Sequence, residues 1–173
     1  MVRGVGIALV LMATQAVGQW KEGATPVADE GWRKSDRGFG AMLFLTDDFA
    51  GFKAEWRKPG TPQIREQDLA VRGKELTAVV LFSGCKAKDG RCSVRVDWRV
   101  LRPDGSEYAA LADTAAWPSR EAAPEGVVVV SDARLGLVIE PEDPAGKYLV
   151  RARVRDGNSG VAVSLERPFT VGR

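Results

Sequence analysis

The chain has 173 residues, of which 45% are hydrophobic and 28% are charged, and its formal net charge at pH 7 is +2. A charge balance so close to neutral gives no general attraction to nucleic acid or to a membrane surface. The sequence contains no histidine, which excludes Ser-His-Asp hydrolysis, Cys-His proteolysis and zinc sites built on histidine.

The first residues, 1–18, have the layout of a secretory signal peptide. Arg3 is followed by an apolar run at 5–13 and by a small-residue tail at 16–18. The apolar run is shorter than the roughly 20 residues that span a bilayer, so a membrane anchor is the weaker alternative. We therefore expect cleavage after Ala16 or Gly18 and export of the remainder to the periplasm or the extracellular space.

Residues 19–39 are predicted to form an irregular, extended lead segment ahead of a single domain at 40–173. The lead segment is rich in glycine, charged and polar residues, and its apolar periodicity is too poor to indicate a helix or a strand. Trp20 and Trp32 are large apolar side chains in this segment. The pattern alone leaves open whether they pack against the domain.

The rest of the chain carries strand patterns separated by turn signals, which is typical of a β-sandwich. The predicted strands are 41–46, 52–57, 69–71, 75–83, 93–102, 107–111, 127–130, 134–140, 146–156, 161–165 and 169–171. The stretch 112–126 contains Trp117-Pro118 and a second proline, so it is predicted to be a loop with at most one helical turn. We expect an all-β, antiparallel sandwich of about 7–9 strands.

The two cysteines of the chain are Cys85 and Cys92. In an oxidising compartment such a pair can close a small loop without rival partners, so we predict a structural disulfide. A redox dithiol or a metal pair is the alternative, but the chain has no CxxC and no histidine to support either. Closing so short a loop should stabilise the fold by roughly 2–3 kcal/mol.

The strand predicted at 146–156 follows a turn and alternates strictly. Asp143, Gly146 and Tyr148 occur in order, and this arrangement resembles the tyrosine corner that opens strand F of immunoglobulin-like sandwiches. In that family the acid usually lies four residues before the tyrosine and a cysteine two after it. Here Asp143 lies one residue further away, and Val150 takes the cysteine position. The resemblance covers about residue 70 to the C-terminus and implies an immunoglobulin-like or macroglobulin-like domain of a secreted protein of bacterial type, without the core disulfide.

Two of the predicted strands carry arginines on the side opposite their apolar residues. In an immunoglobulin-like sandwich these strands are neighbours, so like charges would share one sheet face, which costs stability unless they are neutralised. The residues of this predicted basic face are Arg95, Arg99, Arg151, Arg153 and Arg155. The face is either an ordinary solvated surface, neutralised by Asp97 and nearby glutamates, or a binding surface for an anionic glycan, lipid headgroup or protein.

Other chemistry has weaker support in the sequence. Asp47 and Asp48 would point to opposite faces of a strand, and the acids at 140–143 lie in a turn, so neither group forms an obvious glycosidase pair. The oxygen ligands at 156–160 and those of the loop at 140–143 could bind Ca²⁺, but a hairpin turn fully explains the residues at 156–160. The chain has no GxxxxGK[ST] loop, and no GxGxxG opens a helix. We expect no metal and no cofactor.

These patterns favour a non-catalytic secreted or periplasmic module of the cell envelope over an enzyme. Such a module would act through an exposed sheet face or loop, and its partner would be another protein or an anionic envelope component. The alternatives are a small secreted carboxylate-dependent hydrolase and a protein inhibitor that presents a rigid loop. A hydrolase needs two acids about 5–10 Å apart in a cleft, whereas a module or an inhibitor does not.

Overall fold

The structure is a computed structural model that describes residues 20–22 and 25–172. The predicted signal peptide lies outside the described residues. The strands are β1 (Lys21–Glu22), β2 (Thr25–Pro26), β3 (Arg33–Asp36), β4 (Phe39–Thr46), β5 (Leu69–Ala70), β6 (Glu75–Ser83), β7 (Arg91–Leu101), β8 (Glu107–Glu121), β9 (Val129–Val138), β10 (Gly146–Asp156) and β11 (Ala162–Val171). One helix, α1 (Phe49–Trp56), lies between β4 and β5, and no helix of the described residues is long and apolar enough to cross a membrane.

Two sheets face each other across a common core. One contains β3, β4, β6 and β9 in that order, and the other contains β5, β11, β10, β7 and β8. Only the short pairing of β5 with β11 is parallel, and the remaining pairings of the described strands, including the small β1–β2 hairpin, are antiparallel. The predicted all-β sandwich is confirmed. The predicted strands 75–83 and 146–156 coincide with β6 and β10.

The core is formed by the inward side of each alternating strand, because side chains two apart share one face of a strand. On β7 and β10 the inward residues are at most 2% exposed; they are Val94, Val96, Trp98, Val100, Tyr148, Val150, Ala152 and Val154. β6 is buried on both faces, since α1 covers the outer side of its sheet. A second apolar cluster forms there from Phe44, Phe52, Val79 and Leu81.

The predicted strand at 52–57 is wrong, because Phe52 to Trp56 belong to α1. Phe52, Ala54 and Trp56 alternate, but Phe52 and Trp56 are also one helical turn apart, and their rings stack at 6.3 Å. The cap decides between the two patterns. Asp48 Oδ1 accepts a hydrogen bond of 2.8 Å from Gly51 N, which satisfies a backbone donor that the first turn would leave free.

The predicted loop at 112–126 is also wrong, because β8 continues to Glu121. Asp113 and Ser119 have positive φ angles of 54° and 33°, and the register against β7 shifts at four places. These bulges interrupt the two-residue alternation by which a strand is recognised in sequence. Pro118 is tolerated since β8 lies at the edge of its sheet.

In two further places, two predicted strands form one continuous strand in the structure. The stretches 127–130 and 134–140 merge into β9, whose pairing with β6 contains an irregularity between Val79 and Leu81. The stretches 161–165 and 169–171 merge into β11. Pro168 does not end β11, because the strand has a pairing partner on one side only at that position.

The lead segment packs on the domain through both of its tryptophans. Trp20 is buried, and its Nε1 donates to the backbone oxygen of Lys34 at 3.1 Å. Its ring lies so close to Gly40 that a Cβ there would come within 2.6 Å of it. Trp32 packs edge-on against Phe44 at 5.6 Å. The segment also supplies β3 as an edge strand.

Candidate functional site

The turn before β10 closes as a tyrosine corner. Tyr148 is fully buried, its ring stacks on Phe169 at 5.2 Å, and its hydroxyl donates to the backbone oxygen of Pro144 at 2.9 Å. Gly146 has a φ of 137° and lies against Pro103, which a Cβ would approach to 2.8 Å. The corner residues therefore fix the entry of the chain into β10.

Asp143 belongs to the same corner but contacts a different tyrosine. Its Oδ2 accepts from the Tyr108 hydroxyl at 2.7 Å and from the backbone N–H of Glu140 at 2.9 Å, and these bonds lower the pKa of Asp143. Burial, followed by the contact with Asp143, raises the pKa of Tyr108 to about 12. An ionised acceptor and a protonated donor satisfy each other. This arrangement holds the corner together and offers no free base.

The disulfide loop is attached to the β10–β11 hairpin. Cys85 and Cys92 form a disulfide with their Cα atoms 6.2 Å apart, as predicted. The buried carboxylate of Asp156 accepts from Lys86 N at 2.8 Å, from Asn158 N at 3.0 Å and from the Ser159 hydroxyl. Asn158 Nδ2 in turn donates to two backbone oxygens of the loop. Both oxygens of Asp156 are thus occupied by donors, and the described residues contain no group of three metal-binding side chains.

The five predicted arginines lie on one face of the five-stranded sheet, which we call the arginine face. The register of β10 against β7 places Arg151 opposite Arg99, and Arg155 opposite Arg95, with Arg153 between them opposite Asp97. Residues directly opposite each other on one face are close neighbours. The arrangement is therefore a ladder of guanidinium groups along two central strands.

Carboxylates neutralise most of this ladder. The ion pairs are Arg95–Asp113, Arg99–Glu107 at 3.0 Å, Arg151–Glu166 at 2.8 Å, Arg155–Asp97 at 3.3 Å and Arg155–Asp113 at 3.0 Å. Asp113 reaches two arginines because it lies on a bulge of β8, and its hydrogen bond with Arg95 lowers its pKa. The sequence pattern missed Asp113, since it placed that residue in a loop. The surface is less positive than five unpaired arginines would make it.

Arg153 is the exception on this face. It is exposed and has no ion pair or hydrogen bond with any part of the chain that the structure describes. It lines an open depression of about 430 Å³, whose other lining residues include Asp97, Arg99, Ala110, Ala112 and Arg151. On this side the depression is lined by small alanines of β8, with Ala110 directly opposite Arg99 of β7.

Comparison with known proteins gives distant resemblances. No protein-family model matches the chain, and no curated protein matches it. Similar solved structures include the alkylpurine DNA glycosylase AlkC of Pseudomonas fluorescens bound to DNA, at 13% identity and a TM-score of 0.42, over 61% of this chain and 28% of that one. A family 123 glycoside hydrolase from Clostridium perfringens matches at 10% identity and a TM-score of 0.46, over 79% of this chain and 27% of that one. A Niemann-Pick type C2 protein from the Japanese carpenter ant matches at 9% identity and a TM-score of 0.40, over 62% of this chain and 82% of that one.

The chain spans 28% and 27% of the lengths of the first two of these proteins. Similarity at this level of identity and TM-score carries no conclusion about activity or ligand.

Proposed function

We propose that the chain is a non-catalytic binding or accessory module of the cell envelope that binds an anionic partner on the arginine face. The observation that carries the proposal is Arg153, an exposed guanidinium without a carboxylate partner among the described residues, beside an open depression. Export to the periplasm or the extracellular space belongs to the same proposal, because the disulfide is a bond typical of oxidising compartments.

The neighbours of Arg153 make it a suitable anchor. Arg99 and Arg151 are held in place by their ion pairs with Glu107 and Glu166, so they flank Arg153 as an ordered frame. The alanines of β8 leave space beside Arg153 for the partner. A guanidinium can bind a carboxylate or a phosphate through two parallel hydrogen bonds, so either group fits this position.

The strand order supports an immunoglobulin-like classification of the sandwich. Strands β4, β6 and β9 fit A, B and E of that fold, while β11, β10, β7 and β8 fit G, F, C and C′. Trp98 is buried on the strand that corresponds to C, and the tyrosine corner opens the strand that corresponds to F. Val150 stands where strand F of that fold carries its core cysteine, and it is buried in the apolar core.

The engagement of the acidic side chains argues against a carboxylate hydrolase. Asp97, the acid of the depression, accepts from Arg155 and from the backbone N–H of Asp113 at 2.8 Å. Asp143 is bound to Tyr108 at the corner. A glycosidase requires one carboxyl group held protonated near a second one, and the pKa shifts of Asp113 and Asp143 are both downward.

A protein inhibitor is the second candidate, and the tethering of the disulfide loop favours it. Asp156 and Asn158 hold the loop from outside, so its exposed tip, including Lys88 and Asp89, is presented on a fixed frame. A rigid loop binds with a smaller entropic cost than a mobile one. If the loop is the binding element, replacing Lys88 and Asp89 together by serine should abolish binding of the partner. If the arginine face is the binding element, the partner should stay bound.

The proposal is tested by immobilising the protein and identifying by mass spectrometry what it retains from envelope extract. The variant Arg153→Gln should lose the partner, because it removes the unpaired charge and leaves every ion pair of the face intact. The control is Arg65→Gln, which makes the same change of charge at an exposed position outside the face. Equal retention by wild type and Arg153→Gln would exclude this surface.

A further inference from the structure

A second concave surface lies on the opposite side of the molecule, on the outer face of the four-stranded sheet. It is a groove of about 310 Å³ between α1 and β9. Its lining includes Phe49, Lys53, Trp56 and Arg57 from the helix side, and Asp132 and Arg134 from the strand. We call it the cationic groove. It shares no residue with the arginine face.

The charges of this groove are not balanced. Lys53, Arg57 and Arg134 form no ion pair with the residues that the structure describes, whereas Asp132, its one acid, is paired with Arg120. Two of the cations contact the same ring, with Lys53 Nζ 4.9 Å and Arg134 Cζ 4.7 Å from the ring centroid of Phe49. Cations gathered without a counter-charge in a concavity attract an anion.

The groove also has a rigid aromatic wall. Trp56 is half-buried, and its ring lies parallel to that of Phe52, at 2° and 6.3 Å, so its orientation is fixed by packing. Phe49 stacks on the same Phe52 at 6.4 Å. An aromatic face carries negative charge density and packs well against C–H groups. One kind of ligand that fits this wall and its cations is a ring with an apolar C–H face and an anionic group on its edge.

We infer that the cationic groove binds an acidic oligosaccharide containing uronic acid. The carboxylate lies between Lys53 and Arg134, and a pyranose ring lies against Trp56. The volume is at the lower end of the roughly 300–1,000 Å³ of small-ligand sites, which suits one or two sugar rings better than a folded partner. A lipid surface fits less well, because the large exposed apolar side chains, Leu69, Val71, Leu111, Val127 and Val138, are not part of the groove lining.

The test uses trigalacturonate as the probe and isothermal titration calorimetry as the measurement. Wild-type protein should bind it, and the neutral trisaccharide maltotriose should not bind. Lys53→Gln and Arg134→Gln should each weaken binding by about fivefold, the upper range for one exposed ion pair. Lys58→Gln is the matched control, because Lys58 follows the same helix but is paired with Glu55 outside the groove. Arg153→Gln should leave the affinity unchanged, which separates this site from the arginine face.

A second measurement needs no variant. In saturation-transfer NMR, the aromatic resonances of wild-type protein are irradiated. The saturation should pass to the C–H protons of the bound sugar ring. The inference is overturned by absence of binding up to about 5 mM trigalacturonate, by equal affinities of Lys53→Gln and Lys58→Gln, or by equal binding of maltotriose. Binding of a glutamate heptapeptide or of phosphatidylglycerol vesicles without binding of trigalacturonate would also overturn it, in favour of a peptide or a membrane.

Discussion

Replacing Asp156 by alanine should be among the most destabilising single substitutions in the chain. The side chain is 1% exposed and accepts three hydrogen bonds, from Lys86 N, Asn158 N and the Ser159 hydroxyl. A hydrogen bond to a charged group contributes about 1.5–3 kcal/mol, and a donor left buried without a partner costs about 1–3 kcal/mol. Because the three donors recover part of the lost hydrogen-bond energy by binding water, we expect a loss of about 3–5 kcal/mol in the free energy of unfolding. Asp156→Asn keeps one acceptor oxygen and should lose about half as much.

The assay is urea denaturation followed by tryptophan fluorescence, with the disulfide kept intact. The effect of Asp156 should also be coupled to that of the disulfide, since Asp156 holds the loop that Cys85 and Cys92 close. The variant with both cysteines changed to serine should lose roughly 2–3 kcal/mol. When the cysteine changes are combined with Asp156→Ala, the loss in the free energy of unfolding should be about 1 kcal/mol smaller than the sum of the two separate losses, because both changes release the same loop. An Asp156→Ala protein as stable as wild type, or losses that simply add, would refute the tethering.

Two further predictions concern the tyrosine corner. Tyr148→Phe removes the bond to Pro144 and should cost about 0.5–1.5 kcal/mol in urea denaturation; an unchanged midpoint would mean that the hydroxyl contributes nothing. The chain has two tyrosines, and burial raises the pKa of both, to about 12 for Tyr108. Because the unfolded phenol ionises near pH 10, the burial of the protonated phenols stabilises the folded state fully below about pH 10. This stabilisation is lost as the pH rises towards 12. Absorbance at 295 nm should therefore show phenolate forming later in native than in urea-unfolded protein, and coinciding titrations would contradict it.

The parts of the fold that could be predicted from sequence are those with an uninterrupted pattern between clear turn signals. β10 alternates between apolar and polar residues from Val150 to its end, and β6 is a continuous apolar run, so both strands were located to the residue. The helix could not be separated from a strand, since Phe52 and Trp56 satisfy both periods and the cap at Asp48 depends on backbone angles. The long β8 was missed because its bulges at Asp113 and Ser119 break the alternation.

The candidate site was predictable in position but not in charge. Alternation within each strand, together with the resemblance to an immunoglobulin-like sandwich, placed the five arginines on one face, and the strand pairing agrees with it. Their neutralisation depends on Asp113, which reaches the face only because a bulge turns it there. The cationic groove had no sequence signal, since it requires α1 to lie beside Arg134 of a strand far along the chain.

The binding role of the arginine face is tested most directly by comparing the amount of partner retained by wild-type protein and by Arg153→Gln at low and high salt. We predict that wild type retains a partner at about 50 mM NaCl and releases most of it at about 500 mM, where exposed charges are screened within a few ångströms. Arg153→Gln should retain little at either concentration, while Arg65→Gln should behave as wild type. Retention of the same partner by Arg153→Gln, in the same amount and with the same dependence on salt, would contradict the account.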